Sequence, residues 1–270
     1  MKRMIYIALS MIALVTLACG TGTLPNIPDQ SGVETIVAAT MQALTPTFPV
    51  YRSENISISI PNAVGTGITT TKTDNVELPF INPSNGPMPQ HTVLEINGYP
   101  IGRQAYIMIF KASEYSSYTD LTKQTLTTLQ TFQYQAGQPL PNELTLGPLN
   151  PQAQALTSEN AHGLRYLAQI IIGVVPVTND QIFYYYQGLT NDGLYYISAV
   201  FPVNAPFLAS NGDPASLPAD GIPFPPDNAA VEELNTYYVA ISERLNHADA
   251  NIFQPPLDAL DSIIQSITIQ

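Results

Sequence analysis

A chain of 270 residues is long enough for one large domain or two small ones, and a hydrophobic content of 45% excludes wholesale disorder. Only 11% of residues are charged, and 9 basic against 21 acidic side chains give a net charge of −12, which argues against a nucleic-acid partner. A single cysteine excludes disulfides within the chain and any cysteine-built zinc cage.

Lys2 and Arg3 precede an apolar run from Met4 to Leu17, which ends in Ala18-Cys19-Gly20. A charged start, a short apolar segment and small residues at its end form the pattern of an export signal. At a rise of about 1.5 Å per residue, the run falls short of the roughly 30 Å hydrocarbon core of a bilayer. The lone cysteine stands where cleavage would fall. Val15-Thr16-Leu17-Ala18-Cys19 resembles the lipobox of bacterial lipoproteins, although Thr16 stands where that family usually has Leu. The resemblance implies a signal peptide over 1–18, cleavage between Ala18 and Cys19, and diacylglyceryl transfer to the Cys19 sulfur. It also implies a membrane partner through the N-terminal lipid, on the extracytoplasmic face of the cell membrane or outer envelope. So acidic a body is not held to anionic lipid by charge, so the lipid must be the anchor.

Residues 19–51 read as a Thr- and Pro-rich tether. Within it Ser31 and Glu34 have capping-box spacing, and Val33, Ile36, Val37, Met41 and Leu44 share a helical face, which predicts a short helix over 33–44. Its role is left open between partner binding and contact with the membrane surface. Pro46 and Pro49 end it.

Residues 52–270 read as a single globular domain. Ile56, Ile58 and Ile60 alternate with polar residues, a half-buried strand stopped at Pro61. The Thr-rich stretch 64–72 is expected beside it. Two further strands, 91–96 and 103–110, flank the Asn97-Gly98 turn signal. A helix capped by Ser113 is predicted to run to Tyr134. Strands follow over 163–172, 181–188 and 194–203, the last two joined at Asn191-Asp192-Gly193; one register sets Phe183 opposite Phe201, and loop length leaves the register open. A helix capped by Asp227 or Asn228 carries Val231, Leu234, Tyr238, Ile241 and Leu245 on one face, and Leu257 to Ile267 suggest a final short helix. Strands and helices that do not strictly alternate predict an α+β fold, an antiparallel sheet of about 6–7 strands with helices packed on its faces. This element order over 55–270 resembles the PsbP-like α/β/α sandwich; a resemblance of fold implies no function.

No nucleophile elbow, His-Glu-x-x-His signature, phosphate loop or dinucleotide fingerprint occurs, so no catalytic residue, metal site or cofactor is assigned. His91 with Glu95, and Glu159 with His162, are spaced as acid–base or metal fragments, but ordinary surface hydrogen bonds explain them better. Asp213, Asp220 and Asp227 lack calcium-loop spacing. Tyrosines concentrate in 184–186 and 195–196, with alternation placing rings on both faces of the sheet. Core filling is the first reading of these rings; a ligand-contact surface of Arg165, Tyr184, Tyr186 and Tyr196 is the second. In so base-poor a chain, Arg103 and Arg165 are each expected to meet a carboxylate, or else an anionic ligand. The proline-dense stretch 202–226 reads as a cover across a sheet edge, with a lid over a cleft as the alternative, any cleft lying where it meets the tyrosine hairpin. The sequence thus predicts a lipid-anchored envelope protein, a non-catalytic binding or assembly module with an unknown ligand and a possible envelope protein partner. The alternative is an extracytoplasmic hydrolase or metal-dependent enzyme without a recognisable motif.

Overall fold

A computed structural model describes residues 48–74, 88–169 and 173–270. The signal peptide, Cys19 and the helix expected over 33–44 lie outside the described residues. The body runs from Phe48 to Gln270 and is α+β. Among the described residues ten strands form: β1 (Val50–Ser53), β2 (Ile56–Ser59), β3 (Gly67–Thr73), β4 (His91–Asn97), β5 (Tyr106–Lys111), β6 (Gln154–Thr157), β7 (Ala161–Gln169), β8 (Ile182–Thr190), β9 (Tyr195–Pro202) and β10 (Thr268–Ile269). Four α-helices accompany them: α1 (Ala112–Ser116), α2 (Asp120–Thr131), α3 (Val231–His247) and α4 (Leu257–Gln265).

Seven strands form one antiparallel sheet in the order β3-β4-β5-β9-β8-β7-β6. It consists of two meanders, β3-β4-β5 and β6-β7-β8-β9, joined where β5 pairs with β9. A separate sheet, β1-β2-β10, holds the N-terminal end of the body against Thr268 and Ile269. The stretch 64–72 was expected beside the Ile56 strand but pairs instead with β4, Ile68 opposite Ile96. The turn at Asn97-Gly98, with Gly98 at φ +68°, connects on to β5, and the Ile56 strand takes its partners from the chain termini of the body.

Both faces of the large sheet are covered, which explains why β8 is buried along its whole length. Ile182, Tyr184 and Tyr186 point into a core shared with β2, α3 and α4. Phe183, Tyr185 and Leu189 point into a second core under α1 and α2. The Tyr hairpin turns where expected, at a loop in which the Asp192 carboxylate accepts from the Leu194 amide at 3.0 Å and Gly193 has φ +72°. Its register differs by one residue from the one considered: Tyr184, not Phe183, faces Phe201. Rings stack there at 5.6 Å, so both belong to the same core.

The long helix expected from Ser113 to Tyr134 is two helices. Ser116 and Ser117 both return hydroxyl bonds to the Ser113 carbonyl, and Thr119 then caps a new helix reciprocally with Thr122. That second start signal outweighs continuation of the first helix. Likewise α3 starts at Val231 after Ala230, without the side-chain cap expected from Asp227 or Asn228. Its buried stripe is Tyr237, Ile241 and Leu245, whereas Val231 is exposed. Both tyrosyl hydroxyls of the helix meet the 175–177 segment, Tyr237 accepting from the Val177 amide and Tyr238 donating to the Val175 carbonyl.

The proline-dense stretch packs on α3. Phe207, Leu208, Ile222 and Phe224 join the core beside α3, Phe224 lying edge-on to Tyr237 at 5.0 Å. Asp220 pairs with Arg244 of the same helix. Four large apolar side chains that need burial draw the loop onto the helix.

Gly163 and Gly188 face each other across β7 and β8, with the Tyr186 ring over the pair. A Cβ on Gly188 would collide with the Tyr186 hydroxyl and stand 2.6 Å from the His162 carbonyl oxygen. Gly188→Ala is therefore expected to lower stability by about 1–3 kcal/mol, the usual cost of overpacking, as read by urea unfolding.

Candidate functional site

A cavity of about 230 Å³ lies between the sheet and the α1–α2 hairpin. Its floor comes from three adjacent strands: Met108 and Phe110 on β5, Tyr196 and Ser198 on β9, Tyr185 and Gln187 on β8. Strand alternation puts these six side chains on one face. Tyr115, Tyr118, Leu121, Thr122 and Thr125 form one wall, and Glu143 to Leu146 the other.

The second wall is pinned at several points. The Thr125 hydroxyl donates to the Glu143 carbonyl at 2.9 Å, and Thr128 donates to Glu143 Oε1 at 2.6 Å. Gln187 Nε2 reaches the Leu144 carbonyl at 2.6 Å, and the Leu146 amide donates to the Tyr166 hydroxyl at 3.0 Å. Polar groups of the floor satisfy one another: Ser198 donates to the Tyr185 hydroxyl at 3.3 Å and Tyr196 to Gln187 Oε1 at 3.5 Å, with the two phenols 3.5 Å apart.

Aromatic packing orders the opposite end. Tyr115 stacks on Tyr196 at 4.4 Å and leans on Phe110 at 4.8 Å. Behind Phe110 the His91 ring stacks at 4.3 Å. His91 is buried and its Nε2 has no hydrogen-bond partner among the described residues; burial holds its pKa below the ordinary 6.5, against the opposing pull of the Pro89 carbonyl and Asp74. Burial likewise raises the Tyr115, Tyr185 and Tyr196 phenols, which stay protonated. The Glu143 carboxyl is shifted the other way, held below its usual range by the Thr128 hydroxyl and its own amide. At neutral pH the cavity thus presents neutral hydroxyls, rings, thioethers and one carboxylate.

The four residues singled out in the sequence as ligand contacts do not meet. Tyr196 lines the cavity, but Arg165, Tyr184 and Tyr186 project from the opposite face. There Arg165, 2% exposed, finds the carboxylate expected for it. Its Nε lies 3.2 Å from Asp261 Oδ1, which also accepts from the Tyr184 hydroxyl at 2.8 Å. Arg165 Nη1 donates to the Gln152 carbonyl at 2.5 Å, and Gln152 Nε2 in turn donates to the Leu245 and Ala248 carbonyls at the end of α3. The cluster ties both C-terminal helices to the sheet. Among the described residues Arg103 makes no ion pair; it donates to the carbonyls of Asp180, Ile182 and Val203, with the Asp180 charge acting on it from nearby.

The two histidine pairs do not form sites either. Glu95 accepts from Gln104 while His91 stacks on Phe110, and His162 and the Glu159 carbonyl both bind Asn191. Asp213 caps a turn at Ala215, and Asp220 is engaged with Arg244. Among the described residues no three His, Cys, Asp or Glu side chains converge on a metal position.

No family model, no curated protein and no solved structure matches the chain. Tyr115, Ser198, Gln187 and Glu143 are the site residues that sequence reasoning missed. The helix expected from Ser113 to Tyr134 covered this wall, and the Thr119-x-x-Thr122 box was the local signal for its division into two helices.

Burial also raises the Asp261 carboxyl, with Arg165 and Tyr184 pulling it down. Asp261→Ala leaves Arg165 charged and buried, and is expected to cost roughly 3–5 kcal/mol. Replacing the pair together, Arg165→Met with Asp261→Leu, is expected to cost clearly less, as measured by denaturant unfolding of all three variants.

Proposed function

We propose that the chain is a lipid-anchored protein of the cell envelope whose folded body binds a small ligand without transforming it. The cavity under the α1–α2 hairpin carries the binding half of this reading. Its walls are aromatic and apolar, its floor hydroxyls are mutually bonded, and its phenols are held protonated. Such a surface recognises shape and π-contact, and phenols held protonated supply no activated nucleophile. Its volume lies below the roughly 300 Å³ at which drug-sized pockets begin, so the ligand is correspondingly small. The anchoring half rests on the Val15–Cys19 segment and on the acidic body, which a charged membrane surface would not retain by itself.

Two experiments address the halves separately. Cys19→Ser is expected to abolish palmitate labelling and move the protein from the membrane to the soluble extracytoplasmic fraction; continued sedimentation with membranes would count against the anchor. For the cavity, Leu121 is 60% exposed while lining it and so stands at its mouth. A fragment present at ten times its Kd should add about 1.4 kcal/mol of stability, or roughly 3–5 °C in Tm, to the detergent-extracted chain. Leu121→Trp should erase that shift while leaving the ligand-free Tm in place.

A further inference from the structure

We propose that the cavity under the α1–α2 hairpin takes a small organic cation, a free quaternary ammonium solute of the choline type. This rests on the reading of that cavity as the binding site and adds the chemistry of its occupant.

Three observations narrow the choice. First, the polar groups of the cavity are largely committed. Ser198, Tyr196 and Gln187 bond within the floor and to Leu144, Thr122 donates to the Thr119 carbonyl, and Thr125 donates to the Leu121 and Glu143 carbonyls. A sugar or other polyol needs a directed partner for each hydroxyl, and each one left buried without a partner costs affinity. A ligand whose surface is all C–H makes no such demand. A quaternary ammonium has no N–H to leave unsatisfied, although it carries a full charge.

Second, the rings suit that charge. Phe110, Tyr115, Tyr118, Tyr185 and Tyr196 all line the cavity, with the soft thioethers of Met88 and Met108 beside them. Aromatic cages of this composition bind alkylated ammonium groups through the ring quadrupole, and the attraction grows as water is excluded. Burial keeps the Tyr115, Tyr185 and Tyr196 hydroxyls protonated, so these rings meet an occupant as neutral π-faces and not as phenolates.

Third, the sign of the charge is set. Among the described residues no Lys, Arg or His lines the cavity, and the one ionisable acidic residue lining it is Glu143. Thr128 occupies Oε1 at 2.6 Å, orienting the carboxylate and favouring its charged form. A carboxylate offers about four acceptor sites, so the bond to Thr128 leaves its charge in place, screened by the solvent that reaches it. The whole chain, at −12, also attracts cations and repels anions over longer range.

The test is calorimetric titration of the full chain in a nonionic detergent with choline and with 3,3-dimethylbutan-1-ol, its uncharged isostere. The expected result is choline binding at least tenfold tighter than the isostere, with the advantage shrinking as salt rises. Glu143→Gln keeps an acceptor for Thr128 and should weaken choline about tenfold without altering the isostere. Tyr115→Leu should weaken choline, and Tyr115→Phe should restore it. Phosphocholine stands in for a lipid headgroup bearing the same cation behind a phosphate; weaker binding than choline supports the free solute, and tighter binding overturns it. Equal binding of choline and the isostere overturns the cation and leaves the cavity as a binding site. If neither binds, the cation proposal falls, and the fragment comparison with Leu121→Trp decides separately on the cavity itself.

Discussion

The structure depends on one strand being buried on both sides. Every residue of β8 is excluded from solvent, so its alternate side chains must serve two cores at once. Tyr184 and Tyr186 fill one, Phe183 and Tyr185 the other. Such a strand cannot shift by a single position, because doing so would send each ring to the wrong layer. The glycine pair beneath Tyr186 adds a second restraint, since that ring fits only where two neighbouring residues lack a Cβ. Tyrosine suits this position better than phenylalanine would. A ring that crosses a layer ends near polar groups, as where Tyr184 meets Asp261, and its hydroxyl can bond there.

The two layers are finished differently. On the face of α3 and α4 the last polar groups are an arginine, a carboxylate and a phenol that neutralise one another, and packing closes around them. On the other face α1 and α2 form a hairpin, and the chain then runs through a turn at Asn142–Leu144 before returning to β6. The cavity lies between this hairpin, the turn and the sheet. The threonines of α2 hold the returning chain by its backbone, through Glu143, so the opening keeps a defined wall.

What could be read from the sequence was whatever local chemistry determines. Asn191-Asp192-Gly193 announces its turn because Asp192 bonds the Leu194 amide and Gly193 accepts a positive φ. The antiparallel sheet with helices on its faces followed from element order, and a carboxylate for Arg165 followed from the cost of burying a lone charge. Strands β1, β6 and β10 carry too little alternation to stand out; β6 buries only Leu156. The pairing of β5 with β9 has no local trace, because residues far apart in the chain make it. For the same reason Tyr196 could be suspected as a contact residue, while its neighbours Tyr115 and Glu143 could not. Nor could periodicity say which face of the sheet would be sealed by Arg165 and which would stay open.

The seam between the meanders has a consequence for how the protein comes into being. Each meander can form from nearby chain, whereas joining β5 to β9 requires closing a loop through both α1–α2 and three further strands, the slow kind of step. Met108 and Phe110 arrive from one side of that junction, and Tyr196, Ser198, Tyr185 and Gln187 from the other. An immature chain with both halves structured but undocked therefore lacks the floor of the cavity. That hollow is completed only when the two meanders dock, so its shape reports on assembly of the whole sheet and not on either half alone.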